Sequence, residues 1–148
     1  MAAGAQPAKD SGRARSVVLE FCTSRRTHVL DITAMVNRAV ADSAVYEGVC
    51  HMFVPHTTAG IIINESADHN VALDIESTLE RLVPRDGSYK HAEGNSDAHV
   101  KSALVGVALT VPIEDGVLAL GGWQGIFFCE FDGPRPRKVR LRIVSDPA

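Results

Sequence analysis

Apolar residues along this chain recur at spacings of two and of three to four, outlining strands interrupted by a few helices. Arg15 to Cys22 is β-branched and aromatic enough for a strand, and Thr27 to Leu30 makes a second, short one. Asp31 then reads as a helix N-cap, followed by Ile32, Met35, Val36 and Val40 at helical spacing, with Gly48 ending the region. Val49 to Val54 reads as a buried strand that stops at Pro55. Gly60 to Asn64, with three consecutive isoleucines, has the pattern of a strand covered on both faces. Asp68 caps a helix whose stripe is Val71, Ala72, Ile75, Leu79 and Leu82, ended by Pro84. Ser96 or Asp97 caps a shorter helix, with Val100, Ala103 and Leu104 expected inward and Gly106 closing it.

The remainder is nearly all β. Val107 to Ile113 leads through an Asp115-Gly116 turn to Val117–Leu120. Trp123 to Phe131 leads through an Asp132-Gly133 turn to Lys138–Val144. In the last strand Val139, Leu141 and Ile143 alternate with Lys138, Arg140 and Arg142, giving one buried face and one basic, wet face. With neither repeat nor linker in sight, the fold expected is α+β with a largely antiparallel sheet. Residues 1–15, small and polar, read as a disordered tail, and 16–148 as one domain.

Totals narrow the function classes. A chain of 148 residues with 45% hydrophobic and 22% charged content is an ordinary soluble domain. A net charge of −3 argues against a dedicated nucleic-acid binder, and no apolar run approaches the ~20 residues of a membrane span. Cys22, Cys50 and Cys129 are odd in number and set among apolar neighbours, so buried free thiols in a cytoplasmic protein are expected.

Three polar segments carry candidate chemistry. Tyr89 to Lys101 holds two imidazoles, two carboxylates, an amide, a serine hydroxyl and two ammonium groups, with little to build a core from. Imidazole with carboxylate suits a transition metal or acid/base work. His91 and Glu93 share a side if the stretch is extended, and His99 lies in the first turn of the short helix. His56-Thr57-Thr58-Ala59-Gly60 joins two buried strands and leaves backbone N–H groups open to an anion, with Glu65 at the end of the second strand. Gly121-Gly122-Trp123-Gln124-Gly125 flanks the single tryptophan with glycines, and Arg135 and Arg137 have the fork that suits phosphate. His28, His51 and His69 have no such cluster and read as structural or surface residues.

In order along the chain, His56-Thr57-Thr58-Ala59-Gly60, Asn64-Glu65, the block His91 to Lys101, Gly122-Trp123-Gln124-Gly125-Ile126 and Glu130-Phe131-Asp132-Gly133-Pro134-Arg135 resemble the YjbQ family. That family is also called the secondary thiamine-phosphate synthase enzyme family. The resemblance runs from about Ser16 to Val144, with Gly122 standing where the family often has a hydroxyl-bearing residue. It implies a compact α+β, β-sandwich-like domain assembled as a homotrimer with polar pockets near subunit contacts. It also implies a weak thiamine-phosphate synthase activity, the condensation of a pyrimidine diphosphate with a thiazole phosphate that releases pyrophosphate.

Residues and resemblance together give an enzyme acting on a small phosphorylated substrate. His56, His91 and His99 would ligate a divalent metal, zinc or another transition metal, or magnesium with a pyrophosphate substrate. Glu65 or Glu93 would be a further ligand or general base, and Asp97 would orient a histidine. Thr57, Thr58, Lys101 and Arg135 would hold phosphate oxygens, Trp123 would stack on a ring, and Asn95, Ser96 and Gln124 complete the expected substrate site. The alternative is a non-catalytic trimer that binds a metal or a phosphorylated metabolite. A third option makes the polar cluster an interfacial hydrogen-bond network.

Overall fold

The computed structural model describes residues 5–7 and 14–147. The elements in order are β1 (Ala5–Pro7), β2 (Ala14–Cys22), β3 (His28–Asp31), α1 (Thr33–Ser43), β4 (Gly48–Phe53) and β5 (Ala59–Glu65). They continue with α2 (His69–Leu82), α3 (Ser96–Val105), β6 (Ala108–Glu114), β7 (Val117–Leu118), β8 (Gln124–Glu130) and β9 (Pro136–Ser145). The tail expected over 1–15 lies for the most part outside the described residues. Within it, Ala5–Pro7 pairs with β2, which itself begins at Ala14.

All pairings are antiparallel. Six strands in the order β1-β2-β9-β4-β6-β7 form one sheet, and β3-β8-β5 form a second. The expected α+β sandwich-like architecture is therefore the one observed. The two sheets face each other across a core of Leu19, Cys50, Met52, Ile61, Val111, Ile126, Phe128, Val139, Leu141 and Ile143, which α1 closes with Val36 and Val40. Alternation dictates this, since inward Val139, Leu141 and Ile143 of β9 leave Lys138, Arg140 and Arg142 on the outer face. Central β8 has apolar residues on both faces. Ile126 and Phe128 enter the main core, while Phe127 and Cys129 meet α2 and α3 in a second one with Val29, Ala72 and Ala98. Ile61 and Ile62 of β5 divide the same way.

Asp68 caps α2 as its sequence announces, accepting from the Asn70 N–H at 2.9 Å. Asp115-Gly116 makes the β6–β7 turn with both residues at positive φ. Cys50 and Cys129 are buried, but Cys22 is exposed at the end of β2. Among the described residues no helix is long and apolar enough to cross a membrane.

Helix α3 overturns its expected orientation. Val100 (41% exposed) and Leu104 (63%) point outward with Ala103, while Ser96, Asp97, Ala98, Lys101 and Ser102 are buried. The reason is a satisfied ionic network. Arg26 grips both Asp97 oxygens at 3.0 Å, and Lys101 Nζ donates to Asp97 at 3.0 Å and to Glu80 at 2.8 Å. Thr27 adds a hydroxyl bond to Glu80, so α3, α2 and the segment entering β3 are tied together. At its other end α3 lies close on β5. A Cβ on Gly60 would meet Val105 at 2.3 Å and the Gly106 carbonyl at 2.6 Å.

Burial by itself would raise the Asp97 pKa, but the bonds from Arg26 and Lys101 outweigh it and bring the carboxyl down from 3.8 to about 2. A folded-state pKa below the unfolded one stabilises the fold above the unfolded value and loses that contribution as the pH falls through the folded one. The amount is about 2 kcal/mol. Urea unfolding should therefore find Asp97→Asn less stable than the parent at neutral pH, with the difference shrinking between roughly pH 4 and pH 2. A difference independent of pH would contradict the assignment.

Candidate functional site

At one end of the sandwich, the loop after β4, the segment before α3 and the β8–β9 connection converge on a cleft of about 390 Å³. Its walls include His56, Thr57, Thr58, Glu93, Asn95, His99 and Arg135, seven of the residues expected from sequence, together with Asp132 and Arg137.

One buried carboxylate organises this end. Glu130, at the last position of β8, accepts from Arg137 Nε at 2.8 Å and from Arg137 Nη2. It also accepts from the Thr23 hydroxyl at 2.8 Å and from the N–H groups of Phe131 and Asp132 at 3.0 and 2.9 Å. Desolvation would raise the Glu130 pKa, but Arg137 and the other donors hold it below its ordinary value. Arg137 Nη2 also donates to Thr58 Oγ1 at 2.8 Å, which ties the His56 loop to the start of β9. Thr58 is therefore a buried wall of the cleft whose hydroxyl accepts from Arg137 and keeps its own O–H to donate.

The next residue along β9 fixes His56. The Lys138 N–H donates to His56 Nε2 at 2.9 Å. A neutral imidazole that accepts through Nε2 carries its proton on Nδ1. Burial, and then the Arg137 charge, lower the His56 pKa and keep the ring neutral. With one nitrogen accepting and the other protonated, the ring has no lone pair for a metal. This corrects the expected set of three ligating histidines. Among the described residues no group of three or more His, Cys, Asp and Glu side chains is arranged to hold a metal ion. His91 and His99 do meet, edge to face with ring centroids 5.3 Å apart, and His91 Nε2 lies 3.5 Å from Glu93.

Asp132 accepts from Asn95 Nδ2 at 2.9 Å and from Arg135 Nη2 at 3.1 Å, leaving Arg135 half-exposed with further N–H groups to offer. Asn95 thus braces Asp132, and its Oδ1 is buried without a partner among the described residues. Thr57 is exposed on the rim.

Other expectations fail on position. Lys101 is wholly buried between Asp97 and Glu80 and cannot reach a ligand, and Asp97 is locked by Arg26 and Lys101 rather than orienting a histidine. Ser96 is buried in the first turn of α3. Glu65 pairs with Gln124 at the opposite end of β5, about 20 Å from Ala59 at ~3.3 Å per residue. There Gln124 Oε1 accepts from the Gly121 N–H to close a turn, and Trp123 projects from it 69% exposed. Within one chain these three do not join the cleft.

Sequence reasoning missed Glu130 as the organiser, Asp132 as a bracing carboxylate, and the burial of Arg137. A signal existed, because counting back by two from inward Val139 places Arg137 inward as well.

The UPF0047 protein YjbQ-like family matches residues 17–146. The chain belongs to that family. UPF0047 protein MJ1081 of Methanocaldococcus jannaschii is 50% identical over 84% of this chain and 90% of its own length, and YugU of Bacillus subtilis is 41% identical over 86% and 97%. Among solved structures, a YbjQ-like protein of unknown function from Sulfolobus solfataricus superposes with a TM-score of 0.86 at 31% identity, covering 90% of this chain and 99% of that one. A Clostridium acetobutylicum member of the YjbQ/UPF0047 family gives 0.84 at 50% identity, covering 86% and 98%.

The His56 assignment in this YjbQ-like protein is directly measurable. Long-range nitrogen-15 to proton correlation spectra near pH 6.5 should show His56 neutral with its proton on Nδ1. A proton on Nε2, or a doubly protonated ring at that pH, would contradict it.

Proposed function

We propose that this chain is a small-molecule enzyme acting on a phosphorylated substrate bound in the His56–Arg135 cleft. The observation that supports this most is the division of the cleft by chemistry. Thr57, the His56 Nδ1–H and the spare N–H groups of Arg135 are donors suited to phosphoryl oxygens. Glu93, His99 and Asp132 stand around the same space and are suited to moving a proton or stabilising a developing cation. Both arginines are partly neutralised, Arg137 by Glu130 and Arg135 by Asp132. Recognition therefore depends on directed hydrogen bonds more than on net positive charge.

The reaction class that the family resemblance supplies is the thiamine-phosphate synthase condensation, in which a thiazole nitrogen displaces pyrophosphate from a pyrimidine methylene. Charge builds on the leaving pyrophosphate, and donors such as Arg135 and His56 would stabilise it there. A homotrimer also belongs to this reading. The outward Val100 and Leu104 of α3, one turn apart, form an apolar face of the kind that subunit contacts cover. Free Cys50 and Cys129, their thiols pushed up to about 12 by burial, fit the reducing cytoplasm.

Calorimetry with inorganic pyrophosphate, together with an assay of pyrimidine diphosphate and thiazole phosphate as co-substrates, tests the proposal. Arg135→Met should weaken pyrophosphate binding about tenfold, the worth of one charge-assisted hydrogen bond. Glu93→Gln should spare binding and lower turnover of any substrate that needs a base. Binding without turnover in parent and variants alike would support a phosphometabolite-binding protein instead. Unaltered pyrophosphate binding in Arg135→Met would remove the cleft from consideration.

A further inference from the structure

The ridge formed by His56, Thr57 and His99 has two sides. On one lies the polar cleft of about 390 Å³ already described. On the other lies an open cleft of about 700 Å³ whose walls are Phe53, Val54, Pro55, Ala103, Gly106 and Val107, with Ser102 the remaining polar residue. The Ser102 hydroxyl is already spent, donating to the Ala59 carbonyl at 2.6 Å. The Val54 N–H donates to the Val107 carbonyl at 2.8 Å, and the Gly106 carbonyl accepts from the Ile61 N–H at 3.1 Å. Phe53 stands 47% exposed at its mouth. Both volumes lie within the range of about 300–1,000 Å³ typical of small-ligand sites.

Two contiguous clefts of opposite character, sharing the residues that separate them, match a ligand with two ends. The polar side offers donors whose partners are missing. His56 Nδ1 carries a proton and has no acceptor among the described residues, and Arg135 uses one of its N–H groups on Asp132. Beyond the shared ridge, the other side offers the Phe53 ring and small aliphatic walls, a surface that gains from covering an apolar group and nothing from a bare ion.

We propose that the ligand is a phosphate ester of an apolar or aromatic group, with its phosphoryl oxygens on the His56 Nδ1–H, Thr57 and Arg135, and its apolar group against Phe53, Ala103 and Val107. This rests on the phosphorylated-substrate reading and narrows its substrate class. His56 is the specificity-determining residue, because it borders both clefts and presents a donor whose position the Lys138 N–H dictates.

The test compares inorganic phosphate with phenyl phosphate by calorimetry and by chemical-shift mapping on the full chain. Phenyl phosphate should bind about tenfold or more tightly, from apolar area covered. It should perturb Ala103 and Val107 methyl signals that inorganic phosphate leaves in place. Phe53→Ser should bring phenyl phosphate down toward inorganic phosphate. His56→Gln, which can still accept from Lys138 but loses the donor at the Nδ1 position, should weaken both probes. His56→Asn, which restores a donor at that position, should recover part of the loss. Melting curves establish that each variant is folded, and the Gln and Asn pair separates a donor effect from a folding effect.

Equal affinity for the two probes, or a phenyl phosphate advantage that survives Phe53→Ser, would overturn the two-ended ligand while leaving the phosphorylated-substrate reading intact. Failure of both probes to bind the parent protein would overturn the two readings together.

Discussion

The buried Glu130–Arg137 pair is the constraint on which the rest of this end of the molecule depends. A carboxylate and a guanidinium removed from water are costly unless every donor and acceptor is used, and removing one partner strands the other at a typical cost of about 3–5 kcal/mol. Here Glu130 is filled by five donors and Arg137 by Glu130 and Thr58. Together these bonds pin four pieces of chain: the residue after β2, the loop after β4, the end of β8 and the start of β9. The cleft exists because these four pieces are held at one ion pair.

From that anchor the chemistry of the cleft follows by short steps along the backbone. Arg137 fixes the start of β9, so the Lys138 N–H reaches His56 and selects its tautomer. The connection from Glu130 to Arg137 carries Asp132 and Arg135, which pair with each other and with Asn95. A second ionic network, Arg26–Asp97–Lys101–Glu80, seats α3 so that His99 borders the cleft. These buried charges are thus positioning devices, and the groups free to meet a ligand are the few they leave unpaired.

Most of the fold was legible in the sequence because it rests on period-two alternation and strong punctuation. Lys138 to Val144, the triple isoleucine of β5, the Asp68 cap and the Asp115-Gly116 turn each stand where the pattern places them. The candidate site was legible in composition and less so in roles. The motifs at His56–Thr58, Glu93–His99 and Arg135 converge, but charge does not announce whether it will be exposed. Lys101 and Asp97 look like ligands in a polar block and prove to be buried partners of Arg26 and Glu80, residues remote in sequence. Likewise, the outward turn of Val100 and Leu104 cannot be read from α3 alone, since it depends on what α2 and the chain before β3 bring to its other side. Glu65, Trp123 and Gln124 belong to two of the motifs that carry the family resemblance, but the length of β5 separates them from His56 within one chain.

The central claim is that the fold holds unpaired donors around a phosphoryl-sized space. A crystal structure of the protein with phenyl phosphate tests it most directly. The account predicts phosphoryl density within hydrogen-bonding distance of His56 Nδ1, Thr57 and Arg135, with the ring lying toward Phe53 and Val107. Phosphate seated instead on the outer sheet face at Arg140 and Arg142, or a cleft left empty at saturating ligand, would contradict it.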